Sequence, residues 1–206
     1  MLETHAANHV VLDAAYREAS KNAFYPLHSV RSPGPPVFRS QLARDLGCLL
    51  DVDETVTAWS CLAFGVHLND RVHVVDFMVD HVDGTREFLD ATEFFGDPEV
   101  TETLACMKRR HRFVTVAEIR SGNRLENAKD LLRYARQRTP LNDRVRLLAA
   151  LDEAGAIAVG ETFALFRETA PLAAISWMAL HRFISIDLDD ELIGPNTLIR
   201  RVEVSK

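Results

Sequence analysis

An α/β fold, in which helices cover a β-sheet, is predicted by three observations on this sequence. Helical and strand-like segments alternate along most of the chain, which favours a sheet flanked by helices. Two β-like runs are joined by Asp83-Gly84, a pair of residues typical of a tight hairpin turn. The composition, 47% apolar and 26% charged, is that of an ordinary globular protein. We therefore expect an α/β (α+β) protein with a mixed β-sheet flanked by helices.

The elements of the first part of the chain are predicted from the periodicity of apolar residues and from residues that begin or end helices and strands. Apolar spacing predicts helices over 8–22 and 40–50, and Ser40 is a suitable N-cap for the second helix. The segment 55–68 is predicted to form one strand, or two strands with a kink. Further strands are predicted over 71–79, 86–92 and 112–119, and further helices after Pro98 and over 124–136.

The pattern changes at Thr139-Pro140, where we place a domain boundary. Helices are predicted over 143–155, 160–168 and 171–183, and two short strands around an acidic loop follow. Three helices and a hairpin in so short a segment are typical of a winged helix. We therefore predict a first domain over 1–138 and a small winged-helix-like domain over 139–206.

Charge is distributed unevenly along the chain. The net charge is −6, yet the segment from Met107 to Arg146 contains 12 Lys/Arg and 4 Asp/Glu, a net of +8. Such asymmetry is compatible with a surface that faces a polyanion, and equally with a solvated helix face that pairs with acids elsewhere. The candidate nucleic-acid contacts are Lys108, Arg109, Arg110, Arg112, Arg120 and Arg124.

The cysteines and the hydropathy pattern bear on location. Cys48, Cys61 and Cys106 are widely spaced and odd in number, which favours three reduced thiols over disulfides or a zinc site. No apolar run approaches the length of a membrane span, and the N-terminus lacks the apolar core of a signal peptide. We expect a cytoplasmic protein with no membrane partner.

Two acids stand where strands are predicted, although strands disfavour aspartate. Asp76 shares its strand face with apolar residues, so its carboxylate needs a metal, a cation or hydrogen bonds. Asp90 lies in the partner strand, with Thr92 on the same face. Carboxylates on neighbouring strands can hold Mg²⁺, which can activate water for attack on a phosphate. The alternative is that Asp76 caps or pairs with an arginine inside the sheet.

A wider pattern resembles a known family. The segments "SQLARD" (40–45), "DVDETVTAW" (51–59), "HVVDFMVDHVDG" (73–84) and "EFLDAT" (87–92) occur in the order found in TnsA-like transposon endonucleases. The segment 113–136 is similar to that family's closing strand and helix, and 180–202 to the end of its tail. The resemblance covers roughly residues 25–202. It implies a restriction-endonuclease-like PD-(D/E)xK fold, with Mg²⁺ or Mn²⁺ as cofactor in an active member.

The same resemblance implies a degenerate centre. The helix position that offers the family's glutamate is Ala43, and the acid-x-lysine pair is Asp90-Ala91-Thr92. A threonine hydroxyl supplies neither the positive charge nor the base that a lysine would supply. Asp76, Asp90, Thr92 and Ala43 are thus expected to be vestigial centre positions, with Asp76 and Asp90 as metal ligands only in an active protein. Arg86 could supply a positive charge only from a distance.

Three hypotheses about function follow. The first is a non-cleaving TnsA-like protein that binds DNA, or a transposase-like or other protein subunit, in transposition or related DNA processing. The second is an active metal-dependent endonuclease with a rearranged centre around Asp76 and Asp90. The third is a protein-interaction module on the nuclease fold. The segment 171–183 offers few polar side chains for reading bases, so we expect it to be core or a docking surface.

Overall fold

A computed structural model describes residues 2–202, and the side chains from residue 9 onward. The chain forms two compact units, of which the first ends at Arg120 and the second begins at Ser121. Each unit has its own core. No helix in the described range has the length and apolar character needed to cross a membrane.

The first unit alternates helices and strands. Its elements are α1 (Leu2–Ala19), α2 (Gln41–Val52), β1 (Val56–Cys61), β2 (Gly65–His67), β3 (Val72–Val74), β4 (Phe77–His81), β5 (Arg86–Thr92), α3 (Pro98–Cys106), β6 (Arg110–Thr115) and α4 (Val116–Ile119). The predicted helices at the N-terminus, at 40–50 and after Pro98 are present, although α1 begins earlier and ends earlier than predicted.

The central sheet has the strand order β1-β4-β5-β6. The pairs β1–β4 and β4–β5 are antiparallel, and β5–β6 is parallel. The predicted hairpin is β4–β5, and Gly84 adopts a φ of 80° in its turn, a region that glycine enters without steric cost. The prediction of a mixed sheet flanked by helices is confirmed.

The single strand predicted over 71–79 is wrong. β3 pairs with β2 in a separate two-stranded sheet, whereas β4 pairs with β1. The chain changes partner at Val75 and Asp76, where the Val75 N–H donates to the carbonyl of Phe64 and the Leu62 N–H donates to the carbonyl of Asp76. Asp76 therefore lies at a break between strands, which is where a polar side chain is easiest to accommodate.

The strand predicted over 112–119 also ends early. Thr115 closes β6 and begins α4, because its hydroxyl accepts from the Glu118 N–H while the Glu118 carboxylate accepts from the Thr115 N–H. This reciprocal capping box fixes a helix start. The apolar run "FVTVAEI" looked like one strand because short strands and short helices share the same apolar content.

The helix α2 packs against the sheet face that contains Trp59 and Phe77. The predicted cap is confirmed, since the Ser40 hydroxyl accepts from the Ala43 N–H at 3.1 Å. Leu42, Leu46 and Leu50 are buried. The Trp59 indole N–H donates to Asp51 at the end of α2 at 3.1 Å, which ties the helix to β1.

A second cluster packs on the opposite face of the sheet. Val100 and Leu104 of α3 contact Phe88 of β5, together with Val66 and Val75. Phe88 alternates with Leu89 along β5, so helices cover both faces of the sheet.

The second unit consists of helices around a small sheet. Its elements are α5 (Arg124–Leu132), α6 (Leu141–Ala154), β7 (Ala156–Ala158), a 3₁₀ helix (Val159–Leu165), α7 (Pro171–Leu180), β8 (Ile184–Ile186) and β9 (Leu198–Arg201), with strand order β7-β9-β8. The helix predicted over 160–168 is a 3₁₀ helix. The helix predicted over 124–136 ends at Leu132.

The core of the second unit contains α7. Leu147, Leu151, Ala174, Met178 and Ile199 form one buried cluster from α6, α7 and β9. Ser176, one of the few polar residues of α7, is buried as well. The prediction that this apolar helix is core is confirmed.

The helix α5 belongs to the second unit and holds its acidic loop. The buried Asn127 amide donates to the carbonyls of Leu188 and Glu191 at 2.9 and 2.8 Å, and its oxygen accepts from the Ile193 N–H at 2.9 Å. The boundary predicted at residue 138 separates Asn127 from these partners, whereas the compact units divide after Arg120.

Candidate functional site

The two acids singled out in the sequence lie side by side in the first unit. Asp76 is directly before β4 and Asp90 is in β5, in the register that pairs Phe77 with Leu89. The Asp76 N–H donates to Asp90 Oδ1 at 2.8 Å, and the Ala91 N–H donates to Asp76 Oδ2 at 2.9 Å. Both carboxylates are buried. Each of them accepts a hydrogen bond from a backbone N–H at or next to the other acid.

An arginine joins the two acids. Arg39 donates from Nε and Nη2 to Asp76 Oδ1 at 2.9 and 2.7 Å, and from Nη2 to Asp90 Oδ1 at 3.3 Å. Its side chain is 39% exposed, whereas the acids are 6% and 3% exposed as residues. The alternative that the sequence left open for Asp76, pairing with an arginine, is what the structure shows.

Two histidines approach Asp90 from the other side. His73 Nε2 lies 2.8 Å and His111 Nε2 lies 3.0 Å from Asp90 Oδ2. Thr101 Oγ1 is 2.9 Å from His111 Nδ1. With an ionised Asp90 both Nε2 atoms donate, so in a neutral His111 the Nδ1 atom accepts from Thr101. His73 comes from β3, His111 from β6 and Thr101 from α3.

The environment moves the pKa values of the two acids in opposite directions. Burial raises the pKa of Asp76, against the effect of the Arg39 charge and with the help of the Asp90 charge. Burial also opposes ionisation of Asp90, but the hydrogen bonds from His111 and His73 outweigh it and hold the pKa of Asp90 well below its usual range. Asp90 is therefore the firmly ionised member of the pair.

A cavity of about 340 Å³ opens beside this cluster. It is lined by polar groups, namely Arg39, Ser40, His73, Asp76, Asp90, Thr92 and Asp97, and by Ala91, Phe95, Gly96 and Phe113. Gly96 packs directly on Phe113, since a Cβ at Gly96 would lie 2.0 Å from ring atoms of Phe113. Phe95 at the rim is 97% exposed and Phe94 is 76% exposed.

Three of the four expected centre positions meet at this cavity. Asp76, Asp90 and Thr92 line it. Ala43, the expected position of a helix carboxylate, is buried in α2 and is not among the described residues that line the cavity. Arg86 pairs with Asp80 at 2.6 Å and not with the acids of the cavity.

The residues present do not fit the Mg²⁺ or Mn²⁺ that the resemblance implies. Each of the four carboxylate oxygens of Asp76 and Asp90 already accepts from a protein donor, and the Arg39 guanidinium lies against the two Oδ1 atoms that would share an ion. Two positive groups at the same oxygens repel each other. Among the side chains described, those of residues 9–202, no group of three or more His, Cys, Asp or Glu is arranged to hold a metal ion.

The candidate nucleic-acid contacts are divided between the two units. Lys108 and Arg110 are exposed and form no ion pair with the described residues. Arg109 lies over the rings of Phe64 and Phe88, with 5.8 Å to each centroid. These three cations surround the start of β6.

The other three candidates are already paired with acids. Arg112 lies 3.3 Å from Glu118, Arg120 lies 3.5 Å from Asp45, and Arg124 of the second unit lies 2.7 Å from Asp189. The pairs of Arg112 and Arg124 are exposed, and exposed pairs are weak, whereas the Asp45 partner of Arg120 is buried. These three paired arginines are therefore weaker candidates for phosphate contacts than Lys108 and Arg110.

Sequence patterns did not reveal Arg39, His73 and His111. Arg39 is a loop residue before an N-cap, and nothing local marks it as a partner of residues 37 and 51 positions away. His73 and His111 become neighbours of Asp90 only through the change of partner after β3 and the parallel pairing of β5 with β6. A correct strand order, with alternation along β6, would have placed His111 on the face of Asp90.

The three thiols differ in accessibility. Cys106 at the end of α3 is exposed, and Cys48 is buried in α2. Burial, helped by the charge of Asp76, raises the pKa of Cys61 to about 12. All three are free.

No protein-family model matches the chain, and no curated protein matches it.

Proposed function

We propose that this chain is a TnsA-like nuclease-fold protein that does not cut DNA and that acts as a DNA- or protein-binding component in transposition or related DNA processing. The observation that supports this most strongly is the Arg39 bridge between Asp76 and Asp90. An ion that activates water needs carboxylate oxygens free for it. Here those oxygens are hydrogen-bonded to protein groups, and Thr92 replaces the lysine of the motif.

The DNA-binding part of the proposal rests on the start of β6. Lys108 and Arg110 are exposed cations without acidic partners in the described chain, and Arg109 and Arg112 are their neighbours. Lysine and arginine contacts to phosphates give affinity that does not depend on sequence and that falls steeply with salt. Duplex DNA is accordingly the first ligand to test.

The second unit supports a winged-helix-like interpretation, without base reading by α7. The order helix, strand, 3₁₀ helix, helix, strand, strand and the sheet order β7-β9-β8 agree with that class of domain. Ser176 is buried in α7, and Trp177 stacks on Phe183 with 5.5 Å between ring centroids. Since base recognition needs exposed donors and acceptors, this helix is better suited to holding the domain together.

The cleavage experiment tests the first half of the proposal. The purified protein is incubated with supercoiled and linear duplex DNA in Mg²⁺ or Mn²⁺, beside an Asp76→Asn variant. We expect no cutting by either protein. Cutting by the parent protein that is lost in Asp76→Asn would replace the proposal with the rearranged endonuclease around Asp76 and Asp90.

A constructive version supplies the two groups of the family pattern that this chain lacks. Ala43→Glu combined with Thr92→Lys restores a carboxylate and a cation at the expected positions. Because the Ala43 side chain is buried away from the cavity, we expect this pair to remain inactive while Arg39 is in place.

The binding experiment tests the second half. Lys108→Glu with Arg110→Glu should reduce affinity for duplex DNA at low salt and flatten the dependence of affinity on salt. The matched control is Arg17→Glu with Lys21→Glu, which makes the same change in net charge on exposed residues of α1 and just after it. Equal loss in both variants would mean that only net charge matters.

A protein partner is the second candidate ligand, and a separate observation favours it. Phe94 and Phe95 are consecutive, exposed aromatic side chains, and Phe95 lines the cavity. Aromatic anchors of this kind are enriched in protein interfaces. A folded parent protein without DNA affinity at about 50 mM salt would make the interaction module the better hypothesis.

A further inference from the structure

The helix α6 contacts the rest of the second unit with only part of its circumference. Leu147 faces the core. Asp143 turns toward the chain after the 3₁₀ helix, where it accepts from the backbone N–H groups of Arg167 and Glu168 at 3.1 Å each. Residues two apart point in nearly opposite directions on a helix, so neither contact covers the side of α6 on which Leu141 lies.

Two aliphatic side chains and a cation lie toward this side. Leu141 and Val145, one turn apart, are 63% and 56% exposed, and Arg144 lies next to them on the helix surface. The side of a helix that faces solvent normally carries polar residues. An exposed aliphatic pair at this spacing is therefore typical of a contact surface.

Arg144 is held by aromatic rings and not by an acid. Its guanidinium carbon lies 5.5 Å from the ring centroid of Trp177 and 5.6 Å from that of Phe183, and the two rings stack on each other. The buried Nε atom has no hydrogen-bond partner, and Arg144 forms no ion pair with the described residues. A guanidinium placed on ring faces still has its terminal nitrogens available for a carboxylate.

The chain that leads into α6 adds positive charge. Arg136 and Arg138 are exposed and form no ion pair with the described residues. Thr139 fixes this segment beside α7, because its hydroxyl donates to the carbonyl of Ala174, one turn before Trp177, at 3.2 Å. Cations without a described counter-charge thus border the aliphatic pair.

We propose that the α6 surface, formed by Leu141, Arg144 and Val145 with the rings of Trp177 and Phe183, binds an acidic amphipathic segment of a partner protein. Aliphatic side chains of that segment cover the exposed aliphatic pair, and its carboxylates pair with Arg144 and the arginines before α6. Tryptophan and arginine are enriched among the residues that contribute most to protein interfaces. The inference rests on the protein-binding part of the proposed function, to which it adds a surface and a class of partner.

Duplex DNA fits the α6 surface less well than a protein segment does. Phosphates would pair with the arginines but would leave Leu141 and Val145 against a polyanion, whereas protein interfaces combine an apolar centre with a polar rim. Farther along the same side of α6, Asp152 is paired with Arg201 and lies about two turns beyond Val145, so it does not neutralise Arg144.

A peptide selection tests the proposal without a known partner. A random peptide library displayed on phage is selected on the purified protein, and the affinity of enriched peptides is measured by fluorescence anisotropy. We expect peptides that combine Asp or Glu with Leu, Ile or Phe. Their affinity should fall at least about tenfold for Leu141→Ser with Val145→Ser and for Arg144→Met.

The matched controls are Phe163→Ser and Arg167→Met, which change an exposed apolar residue and an exposed arginine of the segment on the opposite side of α6. Both should bind the peptides as the parent protein does. Because Leu141 and Val145 are exposed, the double serine variant should keep the parent's melting temperature, and it tests the surface even if Arg144→Met is destabilised.

The other outcomes overturn the proposal in distinguishable ways. Enriched acidic peptides that bind the double serine variant as tightly as the parent would leave protein binding in place but not at α6. No enrichment, or enrichment of basic peptides, would exclude this class of partner, and the DNA assays would then decide the proposed function separately.

Two further measurements exclude other occupants of the surface. A loss of duplex DNA affinity in Arg144→Met as large as in Lys108→Glu with Arg110→Glu would make the α6 surface a nucleic-acid contact. Dimers of the parent protein that are lost in Leu141→Ser with Val145→Ser would assign the surface to a second copy of the chain. Either result would overturn the proposal.

Discussion

At the residue scale, the carboxylate of Asp90 is in contact with one guanidinium and two imidazoles, all supplied by different parts of the chain. Asp90→Asn keeps the size of the side chain and removes its charge, which leaves Arg39 and two histidine donors poorly matched. We expect a loss of about 1–3 kcal/mol in the free energy of unfolding at neutral pH, measured by urea titration. The control is Asp80→Asn, an exposed partner of Arg86, with a loss below about 1 kcal/mol.

The two acids should respond to pH with opposite signs. The folded pKa of Asp90 is below 3.8, so its stabilising effect is present above that pH and is lost as the pH falls through the folded pKa. The folded pKa of Asp76 is above 3.8, so the folded state loses stability as the pH rises from 3.8 through the folded pKa.

Urea titrations of Asp90→Asn, Asp76→Asn and the parent between about pH 3 and 7 measure this difference. The loss of unfolding free energy caused by Asp90→Asn should become smaller as the pH falls. The loss of unfolding free energy caused by Asp76→Asn should become smaller as the pH rises. Parallel curves for the two variants would contradict the assignment of Asp90 as the more acidic member.

Gly96 offers a test of the cavity wall. A Cβ at this position would lie 2.0 Å from the Phe113 ring, so Gly96→Ala must displace the ring or the loop before α3. We expect a loss of about 1–3 kcal/mol, as for other overpacked sites, measured by the urea midpoint. Gly34→Ala is the matched control, because no atom lies within 4 Å of its added methyl group. An unchanged urea midpoint for Gly96→Ala would show that the Phe113 ring or the loop can move aside at little energetic cost.

At the scale of elements, α2 was predictable and β3 was not. The apolar spacing of Leu42, Leu46 and Leu50 and the cap at Ser40 are local signals, and the helix agrees with them. The break at Val75 and Asp76 depends on pairing with residues 62–64, which no local pattern contains. The acids were found from sequence because buried aspartates are unusual in strands, but their partners Arg39, His73 and His111 were missed because they meet only in the folded sheet.

The packing of α2 is tested by Leu46→Ala. Leu46 is 3% exposed, and its truncation should leave a cavity and cost about 2–5 kcal/mol of unfolding free energy. The control is Val82→Ala at the hairpin turn, where the side chain is 63% exposed and we expect a change within about 0.5 kcal/mol. Equal denaturation midpoints for Leu46→Ala and the parent would place α2 outside the core.

At the scale of the whole molecule, the chain consists of two units with separate cores. The sequence predicted the mixed sheet. It also predicted a domain boundary at residue 138, whereas the two compact units divide after Arg120. Thr139-Pro140 is a clear local break, but Asn127 is bonded to the chain around residues 188–193. A local break in periodicity and a division between compact units are different properties of a chain.

Two fragments distinguish these properties. Residues 121–206 contain α5 together with the core of Leu147, Met178 and Ile199, and we expect cooperative thermal unfolding of this fragment. Residues 139–206 lack α5, so the carbonyls of Leu188 and Glu191 lose their amide donor and the shorter fragment should melt lower or lack a transition. Equal melting temperatures would favour the boundary at residue 138.

The unequal thiols make the native protein a single-site labelling target. Cys106 is exposed, Cys48 is buried, and the thiol of Cys61 has its pKa raised to about 12, so iodoacetamide at pH 8 should modify Cys106 well before the others. Peptide mass spectrometry would reveal any comparable modification of Cys61. Since Cys106 immediately precedes the basic segment 107–112, a fluorophore attached there tests the proposed contact with DNA without any engineered residue.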